Sequence, residues 1–106
     1  MIEKFKGLYV DDERPLPIDD IDWDLARTYN EAIEKLLTIQ YDVVSLDHDL
    51  ACFNASGREM TGYDIALFLV DCKMNDHYYP MYVRCHSANP AGRQNIEGVI
   101  KRYLNE

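Results

Sequence analysis

A chain of 106 residues with 47% hydrophobic content has the size of one domain and enough apolar material for a packed core, which excludes a disordered segment. Its net charge of −8 argues against a broad nucleic-acid footprint, which would need clustered Lys and Arg. No apolar run approaches the roughly 18 residues of a membrane-spanning helix, so no membrane partner is expected.

Read in chain order, the opening Met1-Ile2-Glu3-Lys4-Phe5-Lys6 lacks the apolar stretch and cleavage site of a signal peptide, which predicts a cytoplasmic protein. Lys6 to Val10 (KGLYV) is a short apolar run meeting Asp11-Asp12, the pattern of a buried strand running into its loop, and Pro15 and Pro17 keep that loop from being helical. Trp23 to Thr28 reads as a second strand. Thr28 and Glu31 have capping-box spacing, and Ala32, Ile33, Leu36 and Leu37 recur at helical period, predicting a helix of about ten residues. Tyr41 to Leu46 (YDVVSL) is a β-branched strand ending in Asp47-His48-Asp49. Ala51 to Met60 reads as an irregular polar loop. A helix is predicted from Thr61-Gly62 through Val70, with Thr61 and Asp64 as its cap. Pro80 to Cys85 is the fourth strand, and Asn89 with Pro90 starts a last helix whose face is Ile96, Val99, Ile100, Tyr103 and Leu104. Three cysteines, Cys52, Cys72 and Cys85, without paired spacing read as structural thiols of a reducing compartment.

Strands alternating with helices predict one α/β domain over residues 1–106, a flavodoxin-like three-layer fold around a mainly parallel sheet of about four strands with three helices. Ligands of such sheets bind at the carboxyl ends of the strands. Three of those ends carry Asp11-Asp12, Asp47-His48-Asp49 and His86-Ser87. Asp11, Asp12, Asp47 and Asp49 crowded together would repel unless protons or a cation join them, and oxygen-only ligands suit Mg²⁺ or Mn²⁺. His48 and His86, each after a strand, could serve as general base and acid, the pair that opening a cyclic phosphate requires. A metal-free site, with the histidines as acid and base and the aspartates as orienters, is equally compatible with the residues. Ser87, Asn89 and the start of the last helix, with Arg93, could seat an anion, although helix capping alone accounts for Asn89. Arg14 and Arg84 are further phosphate partners, Arg84 the weaker because its direction in a strand is open. His77 reads as surface, Tyr63 as core or helix start, and Trp23 with the eight tyrosines as packing.

The order strand-Asp-Asp, strand-Asp, strand-Ser resembles receiver domains of two-component signalling. That resemblance implies Asp11 and Asp12 as the acid pair, Asp47 as phosphoacceptor and Ser87 as the switch hydroxyl, without the fifth strand and its lysine. The motifs DDER (11–14), LDHDL (46–50), TGYD (61–64) and HSANP (86–90) are similar, more particularly, to the cyclic-phosphate-processing receiver domains of phage and bacterial genomes. This similarity implies a phosphoesterase acting on a cyclic or terminal phosphate, of an RNA end or a cyclic nucleotide. Carried over by motif, the site comprises Asp11, Asp12, Arg14, Asp47, His48, Asp49, His86, Ser87 and Asn89. The alternative is a non-catalytic degenerate receiver that binds a nucleotide or a protein, as a phage host-interaction protein would, and a third reading is phosphoacceptance at Asp47. A sheet ending at its fourth strand leaves an edge, through which, or through the last helix, a homodimer could form.

Overall fold

The computed structural model describes residues 5–105, so the expectation about Met1 to Lys4 lies outside the described residues. Four strands, β1 (Lys6–Val10), β2 (Asp22–Ala26), β3 (Val43–Leu46) and β6 (Tyr82–Cys85), form one sheet in the order β2-β1-β3-β6. Every pairing is parallel. The helices are α1 (Tyr29–Thr38), α2 (Gly62–Met74) and α3 (Pro90–Val99), the last continued by one wider turn over Ile100–Leu104. None of the described helices is long and apolar enough to cross a membrane.

Side chains of a strand alternate between faces. Leu8, Val10, Val44, Leu46, Val83 and Cys85 point to one face, where they meet Ala32 of α1, Ile65, Ala66 and Leu69 of α2, and Ile96 of α3 in a single core. Each fully buried Leu or Val there contributes about 1.5–3 kcal/mol. All three helices therefore lie on the same face. The opposite face holds a smaller cluster of Tyr9, Trp23 and Val43, with Ile21 and Leu25 against it and no helix among the described residues. In place of a helical third layer, Ile21 packs on this cluster and Asp19 Oδ1 accepts from Trp23 Nε1 at 2.9 Å. The loop between β1 and β2 is proline-bearing and too irregular to form the helix that this connection usually carries.

Element ends moved where local chemistry competed with periodicity. The second strand stops at Ala26 because Thr28, still extended, caps α1 by accepting the Glu31 amide. Within the expected loop 51–60, β4 (Cys52–Phe53) and β5 (Glu59–Met60) pair antiparallel. The Asn54 side chain accepts the Ser56 and Arg58 amides, and Gly57 has φ +80, so the tip is a built turn. Helix α2 runs past Val70 to Met74, since Asp71 to Met74 are compatible with helix, and it stops before Asp76 at φ 57. After α3 the amide of Asn105 reaches back five residues to the Ile100 carbonyl at 2.9 Å. This turns the Asn105 side chain onto β6. It accepts the Val83 amide at 3.2 Å and donates to the Val83 carbonyl at 2.6 Å, the two groups a further strand would have taken.

Candidate functional site

The register places Val10, Leu46 and Cys85 in one row across the sheet. The next row continues the ladder. The Asp47 amide donates to Val10, and the His86 amide to Leu46, both at 2.9 Å. Asp11, Asp47 and His86 therefore leave the sheet side by side. Asp11, Asp12 and Asp47 each offer an oxygen within 4.8 Å of the others.

Asp11 is buried, 1% exposed, and is held at both oxygens. Its Oδ1 accepts the amides of Glu13 and Arg14, each at 2.9 Å, and its Oδ2 meets His86 Nε2 at 2.9 Å. Burial alone would raise its carboxyl, but those two amides and the His86 ring hold it below the ordinary value. Arg14 Nη1 donates to the His86 carbonyl at 2.7 Å, and Arg27 ties the same loop down through the carbonyls of Asp11 and Arg14. Asp47 and His48 are pinned from the other side by α2. The Gly62 amide donates to the His48 carbonyl at 3.0 Å, and any β-carbon at position 62 would overlap the Asp47 carbonyl oxygen.

The two histidines part company. His86 stacks on Tyr9, centroids 4.2 Å apart and 6° from parallel, on the side of the smaller cluster. Burial pushes its ring below the ordinary value, against the pull of Asp11. Its second nitrogen, Nδ1, meets Ser45 Oγ at 2.7 Å, so both ring nitrogens are engaged. His48 packs instead against α3, where a β-carbon on Gly92 would run into its ring. His48 Nδ1 meets Asp49 Oδ1 at 2.8 Å, and that contact, with Asn89 assisting, holds the Asp49 carboxyl down against burial. Asn89 donates to both Asp49 oxygens while its own carbonyl oxygen caps α3 by accepting the Gly92 amide.

A cleft of about 230 Å³ opens over these groups, lined by the aspartate trio, Glu13, Arg14, Asp49, and Ser87 to Asn89. Neither histidine ring lines it, but each is bonded to an aspartate that does. Asp49 stands outside the converging trio. Arg93 pairs with Glu97 away from the cleft, and Arg84 lies over Trp23 on the far face. His77 is exposed, Tyr63 packs partly buried against the core, and the cysteines are free. Sequence reasoning missed Ser45, a lone polar residue in an apolar strand, which was its only signal. Glu13 stood inside the DDER motif without a role of its own, and Arg27 and Gly92 carried no signal that spacing could reveal.

The oxygen-only trio fits a hard divalent cation. Mg²⁺ takes carboxylate ligands at about 2.1 Å and keeps waters or phosphate on its remaining positions, and a span of 4.8 Å needs only small side-chain shifts to meet it.

The family model described as the cyclic-phosphate processing receiver domain matches residues 6–102. The chain belongs to this family. Among solved structures, a chain titled as a yeast Spc42 trimeric coiled-coil segment, amino acids 181–211, in a fusion is 21% identical with a TM-score of 0.62. That match covers 93% of the present chain and 66% of the other, and it shows the shared fold. A comparison with curated proteins found no match. Among the described residues, no lysine lines the cleft of this receiver-like domain.

Proposed function

We propose that this receiver-like domain hydrolyses a cyclic or terminal phosphate ester, of a nucleotide or an RNA end, at the cleft over Asp11, Asp12 and Asp47. The observation that carries the reading is the convergence of three carboxylates with Arg14 and the 87–89 turn in one cleft at the strand ends. Such a trio would hold Mg²⁺ or Mn²⁺, which supplies Lewis acidity to a phosphoryl oxygen and lowers the pKa of a bound water. Arg14, exposed enough to reach a ligand, binds a non-bridging phosphate oxygen, and Ser87 and Asn89 close the opposite wall. In ring opening, water oxygen forms a bond to phosphorus and one ribose oxygen leaves. A cleft carboxylate takes the water proton, and the leaving oxygen needs a proton in return. His48, whose Nδ1 is oriented by Asp49 and whose Nε2 makes no hydrogen bond among the described residues, would give that proton as the imidazolium, its ring turning from beside Asp49 into the cleft to reach the leaving oxygen. His86, engaged at both nitrogens, acts through Asp11. The partner is a small substrate or chain end, in keeping with the net charge of −8.

The test is hydrolysis of 2′,3′-cyclic nucleotides, cyclic-phosphate-ended RNA and cyclic dinucleotides with and without Mn²⁺. The expected result is cation-dependent turnover, lost in Asp47→Asn and reduced about 10²–10⁴-fold in His48→Ala, the range for a general acid. Chelator-insensitive turnover would remove the cation from the scheme. A second reading, a module that binds its ligand without turnover, is favoured by the absence of both histidine rings from the cleft lining. It predicts ligand binding with no product and no change in affinity on His48→Ala.

A further inference from the structure

A chain of polar groups leaves the cleft through the sheet. Asp11 Oδ2 meets His86 Nε2 at 2.9 Å, His86 Nδ1 meets Ser45 Oγ at 2.7 Å, and Arg84 Nε donates to Ser45 Oγ at 3.2 Å. Asp11 and Ser45 are buried, at 1% and 0% exposure. Register sets the last link, because Ser45 of β3 pairs with Arg84 of β6 in the same row that holds Tyr9. Tyr9 stacks on His86, and Trp23 lies under the Arg84 guanidinium, 5.2 Å from ring to charge.

The direction of these hydrogen bonds follows from the Asp11 end. An ionised carboxylate can only accept, so His86 Nε2 carries a hydrogen aimed at Asp11 Oδ2. In the neutral ring Nδ1 is then an acceptor, and Ser45, one of whose lone pairs takes the Arg84 donor, gives it the hydroxyl hydrogen. The reversed tautomer would set a lone pair of Nε2 against Asp11 Oδ2.

We infer that Ser45 and Arg84 are positioning residues that fix His86 as its Nε2–H tautomer and thereby orient Asp11 for its ligand. Nothing in the motifs points to Ser45, and Arg84 serves here by occupying a lone pair of the Ser45 hydroxyl, away from any phosphate. The consequence for cation affinity rests on the reading of Asp11 as a ligand, whereas the tautomer does not. Partners that orient a metal ligand from behind are worth roughly 10–100-fold in affinity.

The experiment is long-range ¹⁵N–¹H NMR of the full chain without metal, which distinguishes the two tautomers, alongside Mn²⁺ titration by electron paramagnetic resonance. Wild type is expected to show His86 as the Nε2–H form. Ser45→Ala is expected to lose that single form and to bind Mn²⁺ about 10–100-fold more weakly, and Ser45→Thr, which keeps the hydroxyl, to restore both. Arg84→Gln, at a partly exposed position, tests the same chain without altering the buried hydroxyl and is expected to relax the tautomer. A wild-type ring carrying its hydrogen on Nδ1, or a Ser45→Ala protein with unchanged tautomer and Mn²⁺ affinity, would overturn the inference. Absence of Mn²⁺ binding in wild type would sink the cation reading of the site and leave the tautomer result to decide the positioning roles.

Discussion

Both oxygens of Asp11 are committed before any ligand arrives, Oδ1 to two backbone amides and Oδ2 to His86, while Asp12 is only half-buried and carries no such ties among the described residues. The two should respond differently to loss of charge. Asp11→Asn sets an amide NH₂ against donors already in place, and a buried mismatch of this kind costs about 1–3 kcal/mol, to be read by urea unfolding. Asp12→Asn should fold as wild type and still lose Mn²⁺ affinity by more than about tenfold, a result that calorimetry would check. Equal stabilities for the two variants would remove the special status assigned to Asp11. Gly92 makes a third residue-scale case. Its hydrogen leaves room for the His48 ring, so Gly92→Ala should cost about 1–3 kcal/mol through overpacking and shift the His48 resonances by NMR, with Gly98→Ala, where a β-carbon meets nothing, as control.

At the scale of elements, the start of α2 holds the Asp47-His48 strand end in place. The Thr61 amide and hydroxyl both donate to Asp64 Oδ2, and Arg58 pairs with Asp64 Oδ1 at 2.7 Å. Burial would raise the Asp64 carboxyl, but the Thr61 amide and Arg58 bring it below its ordinary 3.8. The unfolded chain therefore binds this proton more readily than the folded one. The stability that Asp64 contributes is complete above the ordinary carboxylate value and is lost as pH falls from there through the lower folded value. Urea unfolding of wild type and Asp64→Asn should accordingly differ most near neutral pH, and the gap should shrink as pH falls to about 3. A gap independent of pH would mean that Asp64 supports the helix through packing alone. Thr61 and Asp64 were legible as a cap from their spacing, as were the Thr28 and Asn89 caps. The β4–β5 hairpin was not, because its pairing depends on a side-chain turn around Asn54 that no hydrophobic period announces.

For the whole molecule, the distribution of layers sets what is exposed. With all three helices on one face, the described residues leave the other sparsely covered, with Ile21 and Leu25 packed on its cluster and Phe5, Met81 and Tyr82 more than half exposed beside Val43. The β6 edge is treated differently, since Asn105 occupies both outward groups of Val83. Pairing two copies through that edge therefore requires Asn105 to move aside. Sedimentation should show Asn105→Ala associating at lower concentration than wild type, and indistinguishable profiles would mean that the edge takes no part in self-association.

Alternation of short apolar runs with helical periods was enough to give the parallel α/β order, the three capped helices and the acidic strand ends, because each of these is written in local residue chemistry. The same local reading could place Asp11, Asp12 and Asp47 at neighbouring strand ends, but not the roles of their supporting residues. Which way a side chain leaves a strand, and what it then meets, depends on register across strands far apart in the chain. Thus His48 and His86, alike in the sequence, lie against α3 and Tyr9 respectively, and Ser45 became part of the site only when β3 was set between β1 and β6. Spacing along the chain specifies the row in which a residue stands, and only the folded sheet brings the carboxylate and imidazole of one row onto the hydroxyl and guanidinium of the neighbouring one.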